Sequence, residues 1–284
     1  NNDTLIGDSN ANIINGGLGD DLLLGGAGGD EFLGGAGNNT VSYALESEVT
    51  AKLTRGVIQG TGVVGSDTDV FTNIQNIIGT TGDDIIEGDS GNNTLIGGAG
   101  NDTLSYAGAG SSDEATVAGS GVTVTLSDTP NLYTIDTKND GTDVISGFEN
   151  IIGSIKADTL SGNSSNNIIE AGLGNDTLSG GAGLDEISAG NGNDIFKLTD
   201  ADVDGESDIL NGENNTDTLD YSSLSNTYHV DVNLATPSAN IIDSSDVVKD
   251  SDTISNIENV IGTSNDGTIT GDDLVNGNQL EGGA

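Results

Sequence analysis

The sequence predicts an all-β fold built from short stacked strands, a β-solenoid. Three observations predict it. A nine-residue phrase, G-G-x-G-x-D-x-(apolar)-x, recurs in unbroken register; one position in nine is consistently apolar; and with 33% hydrophobic and 3% aromatic residues the chain is too polar for an ordinary globular core. On composition alone such a chain would be disordered, and the periodicity reverses that expectation.

The phrase reads GGLGDDLLL from Gly16, GGAGGDEFL from Gly25, GGAGNDTLS from Gly97, AGLGNDTLS from Ala171, GGAGLDEIS from Gly180 and AGNGNDIFK from Ala189. Glycine reaches left-handed backbone angles without steric cost, so several within four residues let the chain reverse tightly and turn its carbonyls to one side. The aspartate at position six adds a carboxylate, which makes the all-oxygen environment that a hard cation such as Ca²⁺ prefers. Positions seven to nine make a very short strand, with the middle residue turned inward: Leu23 and Phe32 in the first run, Leu178, Ile187 and Phe196 in the last. One inward side chain per nine residues builds a core only when neighbours stack.

Weaker repeats fill the register. GDSNANIIN from Gly7, GDSGNNTLI from Gly88 and GNSSNNIIE from Gly162 carry Asn12, Asn93 and Asn167 at position six, where a neutral ligand predicts weaker binding. GTTGDDIIE from Gly79 and GSIKADTLS from Gly153 keep Asp84 and Asp158 but thin the glycines. After Lys197 the array is interrupted by about five residues, LTDAD, and resumes with Asp208 and Asp217 in turns that lack glycines, so no metal is assigned there.

The repeat blocks fall at 1–42, 79–105, 153–220 and 262–284, with linking modules at 43–78, 106–152 and 221–261. The modules are themselves related. Each starts with a tyrosine (Tyr43, Tyr106, Tyr221), expected to stack on the flank, and continues through an alternating strand at EVTAKL, GVTVTL or YHVDVNL. Each closes with a similar phrase: DVFTNIQNIIG from Asp69, DVISGFENIIG from Asp143 and DTISNIENVIG from Asp252. The aspartate that opens this phrase reads equally as a further ligand or as a solvated turn residue.

The nonapeptides resemble the RTX family, the haemolysin-type repeat proteins secreted by bacteria, and with the closing phrases the resemblance covers nearly the whole chain. It implies a single elongated, right-handed parallel β-roll over 1–284, two nonapeptides per coil, calcium in the turns along both edges, and loop insertions between blocks. In that family a site is completed by turns two repeats apart. Carried onto this sequence, the pairs are Asp3 with Asp21, Asn12 with Asp30, Asp21 with Asn39, Asp84 with Asp102, Asp158 with Asp176, Asn167 with Asp185, and Asp176 with Asp194. Asn93 is a weaker candidate ligand. The candidate carbonyl ligands are those of Gly16, Leu18, Gly25, Ala27, Gly97 and Ala99, and of Gly172, Gly174, Gly181, Gly183, Gly190 and Gly192. Asp176 then serves two sites and Asp102 one.

Charge excludes several functions. With 46 acidic against 6 basic side chains, a formal net charge of -40, the chain repels nucleic acid and anionic membranes and concentrates cations. There is no cysteine nucleophile, no H-E-x-x-H, no G-x-S-x-G and a single histidine, His229, in an alternating strand; no enzyme is expected. No apolar stretch reaches the roughly 20 residues of a membrane span. The expected function is a calcium-dependent structural module of a bacterial extracellular or cell-surface assembly, such as an adhesin, surface layer or filament. The alternative is an accessory module of a secreted protease, lipase or alginate epimerase. Expected partners are further copies head to tail, since GGA at 282–284 followed by NNDTLI from Asn1 restores the register, or a polysaccharide or cell surface.

Overall fold

The computed structural model describes residues 1–54, 59–64, 67–108, 121–129, 132–136, 141–265, 267–271 and 278–282. Gly283 and Ala284, part of the expected junction, lie outside the described residues. Nearly every element is a β-strand, most of them three residues long, and the strands of successive repeats pair in parallel, as in an RTX β-roll. The one helical element described is the 3-10 turn Asp200–Asp202, which absorbs the interruption after Lys197.

The chain divides into two compact units. The first comprises 1–109 with 129–150, the second 110–128 with 151–284. In the first unit, one sheet runs in the order Thr4–Ile6, Leu22–Leu24, Thr40–Ser42, Asn76–Ile78, Thr94–Ile96, Thr142–Ser146, Tyr133–Asp136. Its register stacks position eight on position eight: Leu5 on Leu23, Leu23 on Val41, Val41 on Ile77, Ile77 on Leu95, Leu95 on Ile145. From Leu23 to Ile145 these side chains are fully buried. Each contributes roughly 1.5–3 kcal/mol by leaving water, but only because its neighbours cover it. The second sheet runs Ile13–Asn15, Glu31–Leu33, Asp67–Thr72, Gln59–Val64, Thr50–Thr54, Ile85–Glu87, Thr103–Ser105. Here Phe32 sits beside Phe71, with ring centroids 5.9 Å apart and edge-on.

The second unit repeats the plan. One sheet passes from Ile168–Leu173 through Glu186–Gly192 and Ile209–Asn211 to Val248–Ser255. The other passes from Thr123–Thr125 through Thr159–Ser161, Thr177–Ser179, Ile195–Lys197 and Thr218–Asp220 to Asn259–Ile261.

The linking modules are antiparallel insertions on these parallel stacks. Thr50–Thr54, Gln59–Val64 and Asp67–Thr72 form one meander, and Tyr228–Asn233, Ser238–Asp243 and Val248–Ser255 another. In each, the last strand belongs at once to the meander and to the repeat stack, as when Val70 pairs with both Thr61 and Glu31. Insertions are thereby accommodated without losing the register of the repeats.

Candidate metal centre

The two kinds of glycine in the phrase do different work. Those at positions two and four, such as Gly17 (φ 90°) and Gly19 (φ 127°), hold left-handed angles that a side chain resists. The position-one glycine leaves space instead: a Cβ at Gly16 would fall on Asp21 Oδ2 and lie 2.8 Å from the Gly34 carbonyl, and one at Gly180 would fall on Asp185 Oδ2. The missing side chain therefore leaves a small cradle where the carboxylate and the carbonyl of the turn stacked above it converge.

The structure brings together every pair that the family resemblance implies. The backbone N–H of the earlier residue donates to Oδ1 of the later one: Asp3 to Asp21 at 2.8 Å, Asn12 to Asp30 at 2.7 Å, Asp21 to Asn39 at 3.0 Å and Asp84 to Asp102 at 2.9 Å. Asp158 to Asp176 at 2.7 Å, Asn167 to Asp185 at 2.8 Å and Asp176 to Asp194 at 2.7 Å complete the set. The carbonyls of the stacked turns follow the same order. The Ala36 N–H donates to the Gly17 carbonyl and the Gly174 N–H to the Asn191 carbonyl, while Gly190 and Gly192 lie against the carbonyls of Gly172 and Gly174. Gly181 and Gly183 lie in the same way against the carbonyls of Asn163 and Ser165.

One oxygen of each carboxylate is thus used within the protein. The other, Oδ2, is buried without a hydrogen-bond partner in Asp21, Asp30, Asp102, Asp176, Asp185, Asp194, Asp217 and Asp252. An orphaned buried acceptor is costly, and a buried unpaired charge more so. Loss of solvent, with neighbouring carboxylates adding to it, raises Asp102 and Asp176 to about 7, Asp185 to about 6, Asp217 to about 7 and Asp252 to about 8. A hard divalent cation meets every feature of this arrangement: buried oxygen donors, excess negative charge and adjacent carbonyls. Among the described residues no three carboxylate or imidazole side chains gather as a metal cluster, so backbone oxygens must supply most of the ligands.

The weaker turns are closed by hydrogen bonds of their own side chains. Asp84 accepts from Thr80 N–H at 2.5 Å and Thr80 Oγ1 at 2.8 Å, and Asp158 accepts from Ser154 N–H at 2.6 Å and Ser154 Oγ at 2.7 Å. In the turns holding Asn12, Asn93 and Asn167, the side-chain oxygen caps the N–H of Asp8, Asp89 or Asn163, and the amide NH₂ donates back to the same residue. An amide donor serves these turns where a carboxylate would be left negative and unpaired.

The ladder also extends further than the nonapeptides. Asp185 donates its N–H to Asp208 at 2.9 Å and Asp194 to Asp217 at 2.9 Å, so these two residues continue the register despite turns without glycines. Each closing phrase continues it again. Asp69, Asp143 and Asp252 accept from the N–H of Asp30, Asn93 and Asp208 at 2.7, 2.9 and 3.2 Å, so they are buried rungs and not solvated turn residues.

The module tyrosines reach these same rungs. Tyr43 Oη donates to Asp69 Oδ2 at 2.9 Å and Tyr106 Oη to Asp143 Oδ2 at 3.1 Å, while the hydroxyl of buried Tyr221 and Asp252 Oδ2 both lack a hydrogen bond. In the first two modules, then, a phenol takes the oxygen that elsewhere is left open. Burial, with the Asp69 charge adding to it, holds the Tyr43 hydroxyl well above its usual range, so it stays a donor. Tyr43→Phe is expected to cost about 1–3 kcal/mol by stranding Asp69 Oδ2. Tyr221→Phe is expected to be neutral or stabilising, and thermal unfolding of both variants in saturating calcium measures the contrast.

No curated protein matches the chain. A family model does: the RTX calcium-binding nonapeptide repeat matches in four copies, at residues 6–41, 74–110, 143–178 and 171–197, and repeats of this family bind Ca²⁺. Those residues carry the open carboxylate oxygens of Asp21, Asp30, Asp102, Asp176, Asp185 and Asp194, so these stretches of the chain are RTX calcium-binding nonapeptide repeats.

Proposed function

We propose that this chain is a calcium-folded structural module of a bacterial extracellular or cell-surface assembly, of the adhesin, surface-layer or filament kind. RTX repeat domains are non-catalytic calcium-binding modules, typical of secreted bacterial proteins. No helix among the described residues is long and apolar enough to cross a membrane. The observation that carries the reading is the ladder of buried aspartates, found in both units and continued by the closing phrases, in which Asp21, Asp30, Asp102, Asp176, Asp185, Asp194, Asp217 and Asp252 each keep one oxygen open. A device that only assists export needs a few such turns; here the large module recurs with its register preserved across each insertion. Calcium would bind Asp21, Asp30, Asp102, Asp176, Asp185 and Asp194 together with the glycine-turn carbonyls, and would convert a self-repelling acidic chain into a stiff support.

The partners that fit are further copies of the chain or an extracellular polysaccharide. Sedimentation equilibrium with and without calcium, repeated in the presence of surface polysaccharide, tests this. Calcium-dependent association supports the assembly reading. A chain that folds with calcium yet stays monomeric and binds no polysaccharide at high concentration sinks it, and leaves the accessory module of a secreted enzyme.

A further inference from the structure

The closing phrases contract the repeat. From Asp69 to Gln75, Asp143 to Glu149 and Asp252 to Glu258 the spacing is six residues instead of nine, because the turn between strands loses three. The shortened turn starts with a left-handed residue, Asn73 (φ 58°), Gly147 (φ 67°) or Asn256 (φ 53°), followed by buried Ile74, Phe148 or Ile257. Gln or Glu then takes the place of the position-six aspartate. Its extra methylene spans the distance that the missing residues would have covered. Gln75 accepts from the Asn39 N–H at 2.8 Å, Glu149 from the Asp102 N–H at 2.8 Å and Glu258 from the Asp217 N–H at 2.8 Å. The next residue returns the ladder bond: Asn150 N–H donates to the Asp102 carbonyl at 2.9 Å and Asn259 N–H to the Asp217 carbonyl at 2.9 Å.

The three copies differ in charge at this point. In the second, Asp102 and Glu149 are both carboxylates; Asp102 is fully buried, and its Oδ2 has no partner. A Cβ at Gly97 would lie 2.7 Å from that oxygen and would fall on the Gly147 carbonyl, so both oxygens face one space. In the third, fully buried Asp217 has the same orphaned Oδ2, and a Cβ at Gly212 would fall on it and on the Asn256 carbonyl. In the first, both side chains are amides. Fully buried Asn39 donates its NH₂ to the Asn73 carbonyl at 3.1 Å, and a Cβ at Gly34 would lie 2.7 Å from that nitrogen. A positive-ended donor thus sits in the first copy where the other two hold only oxygens.

We propose that the shortened turns Gly147–Glu149 and Asn256–Glu258 each complete an additional Ca²⁺ site, with Asp102 and Asp217 respectively, and that the matching turn Asn73–Gln75 is a metal-free version closed by the Asn39 amide. The open Oδ2 of Asp102 or Asp217 and the Gly147 or Asn256 carbonyl supply hard oxygen donors from both sides of each space, and the Glu149 or Glu258 carboxylate on the same rung adds negative charge. The residues that complete these sites, Gly147 to Glu149 and Asn256 to Glu258, lie outside the glycine-aspartate phrase, although the sites rest on the calcium reading of the chain. The opposite edge of the same phrase behaves differently, because Tyr43 and Tyr106 occupy the open oxygens of Asp69 and Asp143. In the second closing phrase calcium then enters on one edge only.

Calcium counted by native mass spectrometry and equilibrium dialysis on the full chain tests the proposal. Glu149→Gln with Glu258→Gln keeps an oxygen for each N–H but removes the charge, and is expected to bind two fewer ions with its calcium-saturated circular dichroism unchanged. Asn39→Asp with Gln75→Glu is expected to bind one more. Unchanged counts in both variants, with wild type still folding on calcium, overturn the junction sites alone. Wild type that binds no calcium overturns the general reading as well.

Discussion

In excess chelator the chain is expected to lose its β-sheet circular dichroism, and to regain it on titration with calcium in the micromolar to millimolar range. Three-residue strands with one inward side chain cannot offset chain entropy of about 1–2 kcal/mol per residue unless the turns hold. The turns bring together carboxylates such as Asp158, Asp176 and Asp194, each burying an oxygen with no partner or contributing to the charge of its neighbour. Without a cation, each buried charge costs on the order of several kcal/mol. With calcium at one hundred times its dissociation constant, each site adds about 2.7 kcal/mol to the folded state. Summed along the ladder, that exceeds the stability of an ordinary domain, so the transition should be all or none within a unit. A β spectrum unchanged in chelator would sink the idea.

Acid should substitute in part for calcium. Asp102, Asp176 and Asp217 are raised to about 7, and Asp208 and Asp252 to about 8, chiefly because burial penalises the charged form. A carboxyl raised on folding stabilises the fold below its unfolded value, near 3.8, and loses that contribution as pH rises through the folded value. In chelator, β structure is therefore expected below about pH 4, fading as pH rises from about 4 to 8. In calcium the competition runs the other way, and apparent affinity should fall as pH drops from 8 to 6 while protons take the same oxygens. Circular dichroism across this range, at protein concentrations low enough to avoid precipitation near the isoelectric point, measures both limbs. A chelated chain equally unfolded at pH 3.5 and pH 8 would exclude desolvated carboxylates as the obstacle to folding.

Much of this was legible because the period is rigid. Given two repeats per coil, which the family resemblance implies, a fixed spacing of nine puts every position-six residue over the one two repeats away, as Asp176 lies with Asp158 and Asp194. The closing phrases resisted the same counting. Their contraction to six residues hides Glu149 and Glu258 from a search in steps of nine, and only the left-handed residue two places earlier shows that a turn is there. This is why Asp102 reads in sequence as the last member of its run, whereas in the structure a further turn follows it. The sequence puts the tyrosines on the flank because a phenol has no register; their contact with Asp69 and Asp143 depends on where the chain returns after each module. Asp208 and Asp217 were passed over for lack of glycines. The capped turn at Thr199–Asp202 does the same work, with Asp202 accepting from the Gly181 N–H at 3.1 Å.

The turns that close with their own side chains are not scattered at random. Two blocks open on them: Thr80 with Asp84 and then Asp89 with Asn93, Ser154 with Asp158 and then Asn163 with Asn167. The ion-dependent turns come afterwards. Such a block has a starter segment that can form before any ion arrives, and each later turn needs only the edge of the one already in place. Assembly would then be directional, zipping from the N-terminal end of a block towards its C-terminal end. It would also be gated by calcium, since these turns only set the starting edge and the unit stays unfolded until ions close the turns that follow.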